Sequence, residues 1–382
     1  MRRFFLTIAA ITAVAFSGLA QDATTDSVVA RKSFIKKIGE YLMGGANDST
    51  AGEKLSRFSI IGGPHYDNEA KLGIGVVGTS QFRLNGCDSL MQPSNIAITA
   101  DASFAGFFAL GLKGSVFFPE DSKRLLFESQ VGYSPSYFWG IGEENGDIDE
   151  NETKMNRINA FVRADFMWRL APGLYVGPVL QWQYDHTAEI DKPELLAGQD
   201  RSVSTQGLGI TVEYDTRDYV TAATSGVLLH YTQLLNPKFL GNNYAFSMTD
   251  LRACYYHTLW RKASIAAEVK VTFNFGDPCW GTMARLGSSW SMRGYYPGRY
   301  RDKHMATTQV ELRQTIWGPL GMVAWGGVGN VFHNKETFKS GWLPNYGIGL
   351  RWAFRPHVNI RLDYGFGKKG QNGFLFSINE AF

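Results

Sequence analysis

The sequence predicts an all-β chain: a transmembrane antiparallel β-barrel of about sixteen strands. Three observations lead to the barrel. The first is strict alternation. In "PHVNIRLDYGFG", Val358, Ile360, Leu362, Tyr364 and Phe366 fall on one face, and Asn359, Arg361, Asp363 and Gly365 on the other. That period of two marks a strand with two unlike faces. The second is charge on the polar face of long strands, including Glu213, Glu268, Lys270, Glu311 and Arg313. A soluble sheet with one wet face shares this pattern, but a barrel with lipid outside and a polar interior requires it. The third is aromatic placement. Aromatics make up 14% of the chain, and many, such as Trp168, Trp260, Trp317, Trp342 and Trp352, sit near strand ends, as interfacial girdles would.

At the N-terminus, Met1, Arg2 and Arg3 precede an apolar run from Phe4 to Phe16 and the small residues before Gln21. Residues 1–20 are expected to be a signal peptide cleaved after Ala20, the run being short for a membrane-spanning anchor. The segment 21–55 carries Val28, Phe34, Ile35, Ile38 and Leu42 on an approximate helical stripe, with Arg31, Lys32, Lys36 and Lys37 mostly off it. It reads as a short periplasmic amphipathic helix or a tether. The barrel is expected over 56–382. Its strands are placed at 56–64, 70–83, 95–105, 106–118, 122–134, 154–170, 173–186, 203–217, 225–236, 244–259, 261–276, 304–317, 319–332, 342–354, 356–367 and 373–382. Connections alternate between short turns and longer loops, the longest being 277–303; short turns inside and long loops outside is the asymmetry of outer-membrane barrels.

Composition excludes other classes. Net charge is +3, too small to argue for nucleic acid. Three cysteines far apart make neither a disulfide framework nor a metal pair, so no metal or cofactor is expected. No nucleophile elbow, zinc-protease helix or phosphate loop occurs, which argues against an enzyme. His65 and Asp67 lack a nucleophile or a third orienting group. The acidic run "EENGDIDENE" at 143–152 lacks ordered cation-ligand spacing and reads as solvated.

Three stretches carry a resemblance: "MRGYYPGRYRD" in the longest loop, "LGITVEYDTRDYVTAATSG" with Asp215, Arg217 and Asp218 at a strand end, and "FLFSINEAF" at the C-terminus with Phe374, Phe376, Ile378 and Phe382. Together they resemble the BamA/TamA-type outer-membrane assembly barrels, over roughly 56–382. The resemblance implies that the loop folds back into the lumen and that its Arg-Gly-aromatic motif, here Arg293, Gly294 and Tyr295, meets acidic side chains on the next two strands. Glu311, followed by Arg313, matches the first acid. At the second acidic position the chain has Gly327, in "WGGVGNVF". One acidic partner is therefore expected, with Trp325 as a cation–π platform. Simple loop-surface cations are the alternative for Arg293, Arg299 and Arg301.

The family also carries periplasmic transport-associated domains ahead of the barrel. Residues 21–55 are too few to fold as one, so a member without them is expected. The implied function is assistance in inserting or exporting proteins at the bacterial outer membrane through a lateral seam between the first and last strands. The expected partners are outer-membrane lipid and nascent outer-membrane proteins or an accessory periplasmic protein. A passive pore, or a structural partner in an outer-membrane complex, is the alternative.

Overall fold

The computed structural model describes residues 58–67, 71–87, 91, 93–355 and 358–382. The expected signal peptide and the segment 21–55 lie outside them. The described residues fall in one compact unit. No helix among them is long and apolar enough to cross a membrane.

Sixteen strands form one antiparallel sheet in chain order. They are β1 (Phe58–Asp67), β2 (Lys71–Phe82), β3 (Ser94–Ser103), β4 (Phe108–Phe117), β5 (Lys123–Phe138), β6 (Thr153–Ala171), β7 (Leu174–Ile190), β8 (Ser202–Asp215), β9 (Gly226–Asn236), β10 (Phe246–Trp260) and β11 (Ala263–Gly276). After two short strands come β14 (His304–Trp317), β15 (Leu320–Phe332), β16 (Leu343–Arg355), β17 (Val358–Phe366) and β18 (Asn372–Ile378). The short pair, β12 (Ala284–Arg285) and β13 (Arg301–Asp302), forms its own sheet inside the connection between β11 and β14. Two one-turn helices, α1 (Glu143–Asp147) and α2 (Lys335–Lys339), lie in loops along the same edge of the sheet as that connection.

The burial pattern is the reverse of a water-soluble protein's. On β14, Val310 and Leu312 are 43% and 39% exposed, while Glu311 between them is fully buried. Ile348 and Leu350 are likewise exposed on β16 and Arg351 is buried; on β8 Ile210 is exposed and Thr211 buried. Soluble folds bury the apolar set and expose the charge. Here the alternation serves an apolar exterior and a polar, packed opposite face, as a lipid-facing sheet demands.

Two boundaries differ from expectation. β5 continues to Phe138, and β6 and β7 reach 19 and 17 residues, more than the roughly 9–11 that span a bilayer. The extra length has a use: Phe138, Met155, Ile190 and Val203 form a buried cluster with Cys279 and Trp280 of the long connection. The second difference is at the chain end. The terminal strand was expected to run to Phe382, but β18 stops at Ile378, because Asn379 takes a left-handed backbone (φ 69°). Its amide donates to the Asn359 carbonyl, and the Glu380 amide to that of Thr221. The turn takes Phe382, expected as the end of the terminal strand, off the sheet, and it is buried with Ala223, Leu228, Cys254, Tyr256 and Ala266.

Candidate functional site

The connection 277–303 lies against the polar face of β14 to β17. Its tip is Arg293, which is fully buried. One guanidinium nitrogen, Nη2, donates to Glu311 Oε2 on β14 at 2.6 Å; the other, Nη1, donates to Asp363 Oδ2 on β17 at 2.7 Å. The Trp325 ring of β15 lies 3.6 Å from the guanidinium carbon, at stacking distance. Arg293 thus has two carboxylate partners where one was expected. Gly327 does stand at the second acidic position, and the missing carboxylate comes from two strands further along the sheet.

Glycines make that reach possible. Asp363 pairs in register with Gly349, and a Cβ on Gly349 would fall 2.0 Å from Asp363 Oδ1. Likewise a Cβ on Gly347 would sit 2.3 Å from Cζ2 of Trp325. The two glycines of "NYGIGLRW" therefore leave room on β16 for the acid and the indole to lean toward Arg293. Asn345, also on β16, finishes the mount: its Nδ2 donates to the Arg293 carbonyl, and its Oδ1 accepts from Trp325 Nε1 at 3.0 Å.

Gly294 has φ +104°, and a Cβ there would approach the Gly365 carbonyl carbon and oxygen to 2.6 Å. Loop and strand backbones touch at this point, which only paired glycines permit. The Tyr295 hydroxyl donates to the Pro344 carbonyl at 2.6 Å and accepts from the Lys368 amide at 2.8 Å. Arg-Gly-Tyr is one docking unit: a charge fork, a close approach and a hydroxyl tether.

Arg313, expected beside Glu311, donates through Nε to Glu311 Oε1 at 2.8 Å. Further charges complete a buried network that the residue patterns did not assign to the site. Arg351 Nη1 donates to Asp363 Oδ1 at 2.6 Å, and its Nε to Glu380 Oε2 at 2.7 Å. Arg361 Nη2 donates to the Ser289 carbonyl at 2.8 Å, and its guanidinium lies over Trp290. Four arginines, 293, 313, 351 and 361, thus meet three carboxylates, Glu311, Asp363 and Glu380, all buried. Buried charges persist only when paired and hydrogen-bonded in this way.

The rest of the connection grips loops on the same sheet edge. Arg299 donates to the Gly146 carbonyl at 2.8 Å and to Asp149 at 2.5 Å, with Trp139 beneath it. The Tyr300 hydroxyl donates to Asp147 at 3.0 Å, and Lys368 donates to the same carboxylate at 2.8 Å. The acidic run 143–152, read as solvated, is thus in part the counter-charge of the arginine loop. Burial pushes the Asp147 carboxyl up, but hydrogen bonds from Lys368 and Tyr300 outweigh it and hold it below the usual carboxylate range. Burial likewise lowers Lys368, and its bonds to Asp147 and Glu143 more than reverse that.

Asp147, depressed in the folded state, adds stability above its unfolded pKa of about 4 that is lost as pH falls through the folded value. Lys368, raised, adds stability below about 10.4 that is lost as pH climbs through its folded value. Trp139 emission should therefore hold steady from about pH 5 to 9 and shift below about pH 4. Asp147→Asn should show the shifted spectrum already at neutral pH; a variant that titrates like the native chain would refute the assignment.

At the end of β8, Arg217 forks onto Asp215 at 2.9 and 2.8 Å. Asp218 does not join that pair among the described contacts. It accepts from the Tyr219 and Thr224 amides at 2.9 Å and from the Thr224 hydroxyl, organising the turn into β9. Of the C-terminal aromatics, Phe374 is exposed on the apolar face and Phe376 half-buried, while Ile378 pairs with Ile360. The side chain of Ile378, like those of His65 and Asp67, lies outside the described residues.

Reversed burial, a sixteen-stranded meander and a loop docked on the polar face define a membrane-spanning β-sheet protein of the outer-membrane barrel class. The chain belongs to the Omp85 superfamily, whose domain profile matches residues 108–382. Its fold is similar to that of BamA from Haemophilus ducreyi lacking POTRA domains 1–3 (12% identity, TM-score 0.57, covering 86% of this chain and 71% of that one). It is also similar to CdiB from Acinetobacter baumannii (11%, TM-score 0.56, 86% and 60%) and to CdiB from Escherichia coli (11%, TM-score 0.57, 86% and 63%). The chain thus spans less than two thirds of either CdiB chain. No curated protein matches it by sequence.

Proposed function

We propose that this chain is an outer-membrane barrel that assists insertion or export of proteins, through a lateral seam where β1 meets β18. In this reading the sheet closes on itself, its polar face is the lumen, and the arginine loop fills it. Support comes from the two ends of the sheet. The rings of Tyr66 on β1 and Phe374 on β18 stand 6.3 Å apart, yet among the described residues no ladder joins these strands. β18 has only seven residues. β1 carries Gly62, Gly63 and Pro64 in its ladder with β2, residues that weaken strand pairing. Such an edge offers unpaired backbone groups to an incoming strand.

The test joins depletion to a lock. Outer-membrane proteomics after depletion should show a fall in other barrel proteins, broad for a general assembly role and narrow for a dedicated exporter. A Tyr66→Cys/Phe374→Cys chain, oxidised across the seam, should fail to restore them, and its reduced form should succeed. Full rescue by the locked chain would remove the lateral seam. An unchanged proteome would leave the pore or scaffold reading, for which a large, stable conductance in a planar bilayer is the mark.

A further inference from the structure

The buried charge network joins two structures that are far apart in sequence, the arginine loop and the residues after β18. Each of its central carboxylates divides its two oxygens between them. Glu311 gives Oε2 to Arg293 of the loop and Oε1 to Arg313. Arg313 in turn donates through Nη2 to the Phe382 carbonyl oxygen at 2.7 Å, with the Phe382 ring 5.4 Å from its guanidinium. Asp363 gives Oδ2 to Arg293 and Oδ1 to Arg351, which holds Glu380. The loop directly, and the tail through Arg313 and Arg351, are thus tied to opposite oxygens of the same two acids.

We infer that segment 379–382 is a clasp whose docking is thermodynamically coupled to docking of the loop. The chemistry sets the sign. With Glu380 withdrawn, Arg351 loses its second carboxylate, and Asp363 and Glu311 become its remaining acids; Arg351 Nη2 already stands 3.9 Å from Glu311 Oε1. Arg351 then competes with Arg293 for both, in a buried site where geometry decides the strength of each pair. Conversely, with Arg293 withdrawn, Glu311 and Asp363 each lose one of two hydrogen-bonded arginines, and the arginines holding the tail are drawn off line. Either loss weakens the other, which is positive coupling between two sites through a shared network. The tail also spans toward the β8–β9 turn, where Glu380 N–H donates to Thr221 and Arg313 Nη1 to the Ala223 carbonyl. A displacement at the end of the last strand would therefore reach a turn on the same edge of the sheet that joins strands in its middle, β8 and β9. This coupling holds whether or not the barrel handles client proteins.

The test uses the full chain in detergent, with Glu380→Gln, which keeps the side-chain size and removes the charge. A Ser291→Cys reporter reads the loop by thiol alkylation; a second reporter, Ser94→Cys, buried on β3 away from the network, reads general loosening. Glu380→Gln should raise alkylation at 291 by about tenfold, within the usual range of coupling energies, and leave 94 unchanged. Reciprocally, Arg293→Lys should raise amide exchange at 380–382 more than in β8. Should Glu380→Gln reduce folded yield, Phe382→Ala loosens the tail without touching a charge. Unchanged alkylation at 291 in a folded, tail-released variant would overturn the inference, as would equal increases at 291 and 94.

Discussion

Arg293→Ala is expected to be among the most damaging single substitutions in this chain. It strips one partner from each of Glu311 and Asp363, both fully buried, and uncovers Trp325. Breaking a buried pair by removing one member costs about 3–5 kcal/mol, because an uncompensated charge stays behind. Here two carboxylates share the loss, so the expected result is a large fall in folded, heat-modifiable protein and in unfolding midpoint. Arg293→Lys separates charge from geometry. An ammonium cannot fork to acids on β14 and β17 while lying flat on an indole, so Lys should recover little of the loss. A lysine variant as stable as the native chain would show that net charge, and not the fork, holds the loop.

The second large effect is expected at the backbone contact beneath that fork. Gly294→Ala puts a Cβ within 2.6 Å of the Gly365 carbonyl and forces an L-residue to φ +104°. Gly365→Ala puts its Cβ 2.3 Å from the Arg293 carbonyl oxygen. Strained backbone alone costs about 1–3 kcal/mol, and neither clash is relieved by rotating a side chain. Both variants should undock the loop, seen as protease cleavage within 286–296 in an otherwise folded sheet. The control is Gly326→Ala on β15, two strands from Gly365, where an added methyl meets nothing within 4 Å; it should leave the loop protected. If Gly294→Ala stays protected, the close approach is not what seats the loop.

The strand content was legible because a two-faced sheet writes its period directly into the chain: the alternation of Val310, Glu311, Leu312 and Arg313 gives both the strand and its polar face. Arg293, Glu311 and Trp325 were legible from a motif and a parity. Asp363 was not, because its role depends on register across two intervening strands and on space left by Gly347 and Gly349. Alternate glycines inside an otherwise bulky strand were the available signal, since they mark where something else crosses. The end of β18 was hidden for a different reason. The strand expected through Phe382 rested on the aromatic at the end of the chain, but Glu380 falls at an apolar position, and the left-handed turn at Asn379, which asparagine tolerates well, ends the strand. The acidic run 143–152 looked solvated because its partners, Arg299, Tyr300 and Lys368, lie more than a hundred residues away.

That acidic run has a consequence for how the protein reaches its own membrane. The hairpin of β5 and β6 carries Glu143, Glu144, Asp147, Asp149, Glu150 and Glu152 at its bend, on the edge of the sheet opposite the strand ends at Phe58 and Ile378. For that hairpin to span, six carboxylates must pass through hydrocarbon, Glu143, Asp147 and Asp149 among them before Lys368 and Arg299 are in place to pair with them, a transfer that bare lipid strongly opposes. Protein synthesis supplies no such passage. Under the proposed function, the chain's own insertion is a reaction of the kind it assists.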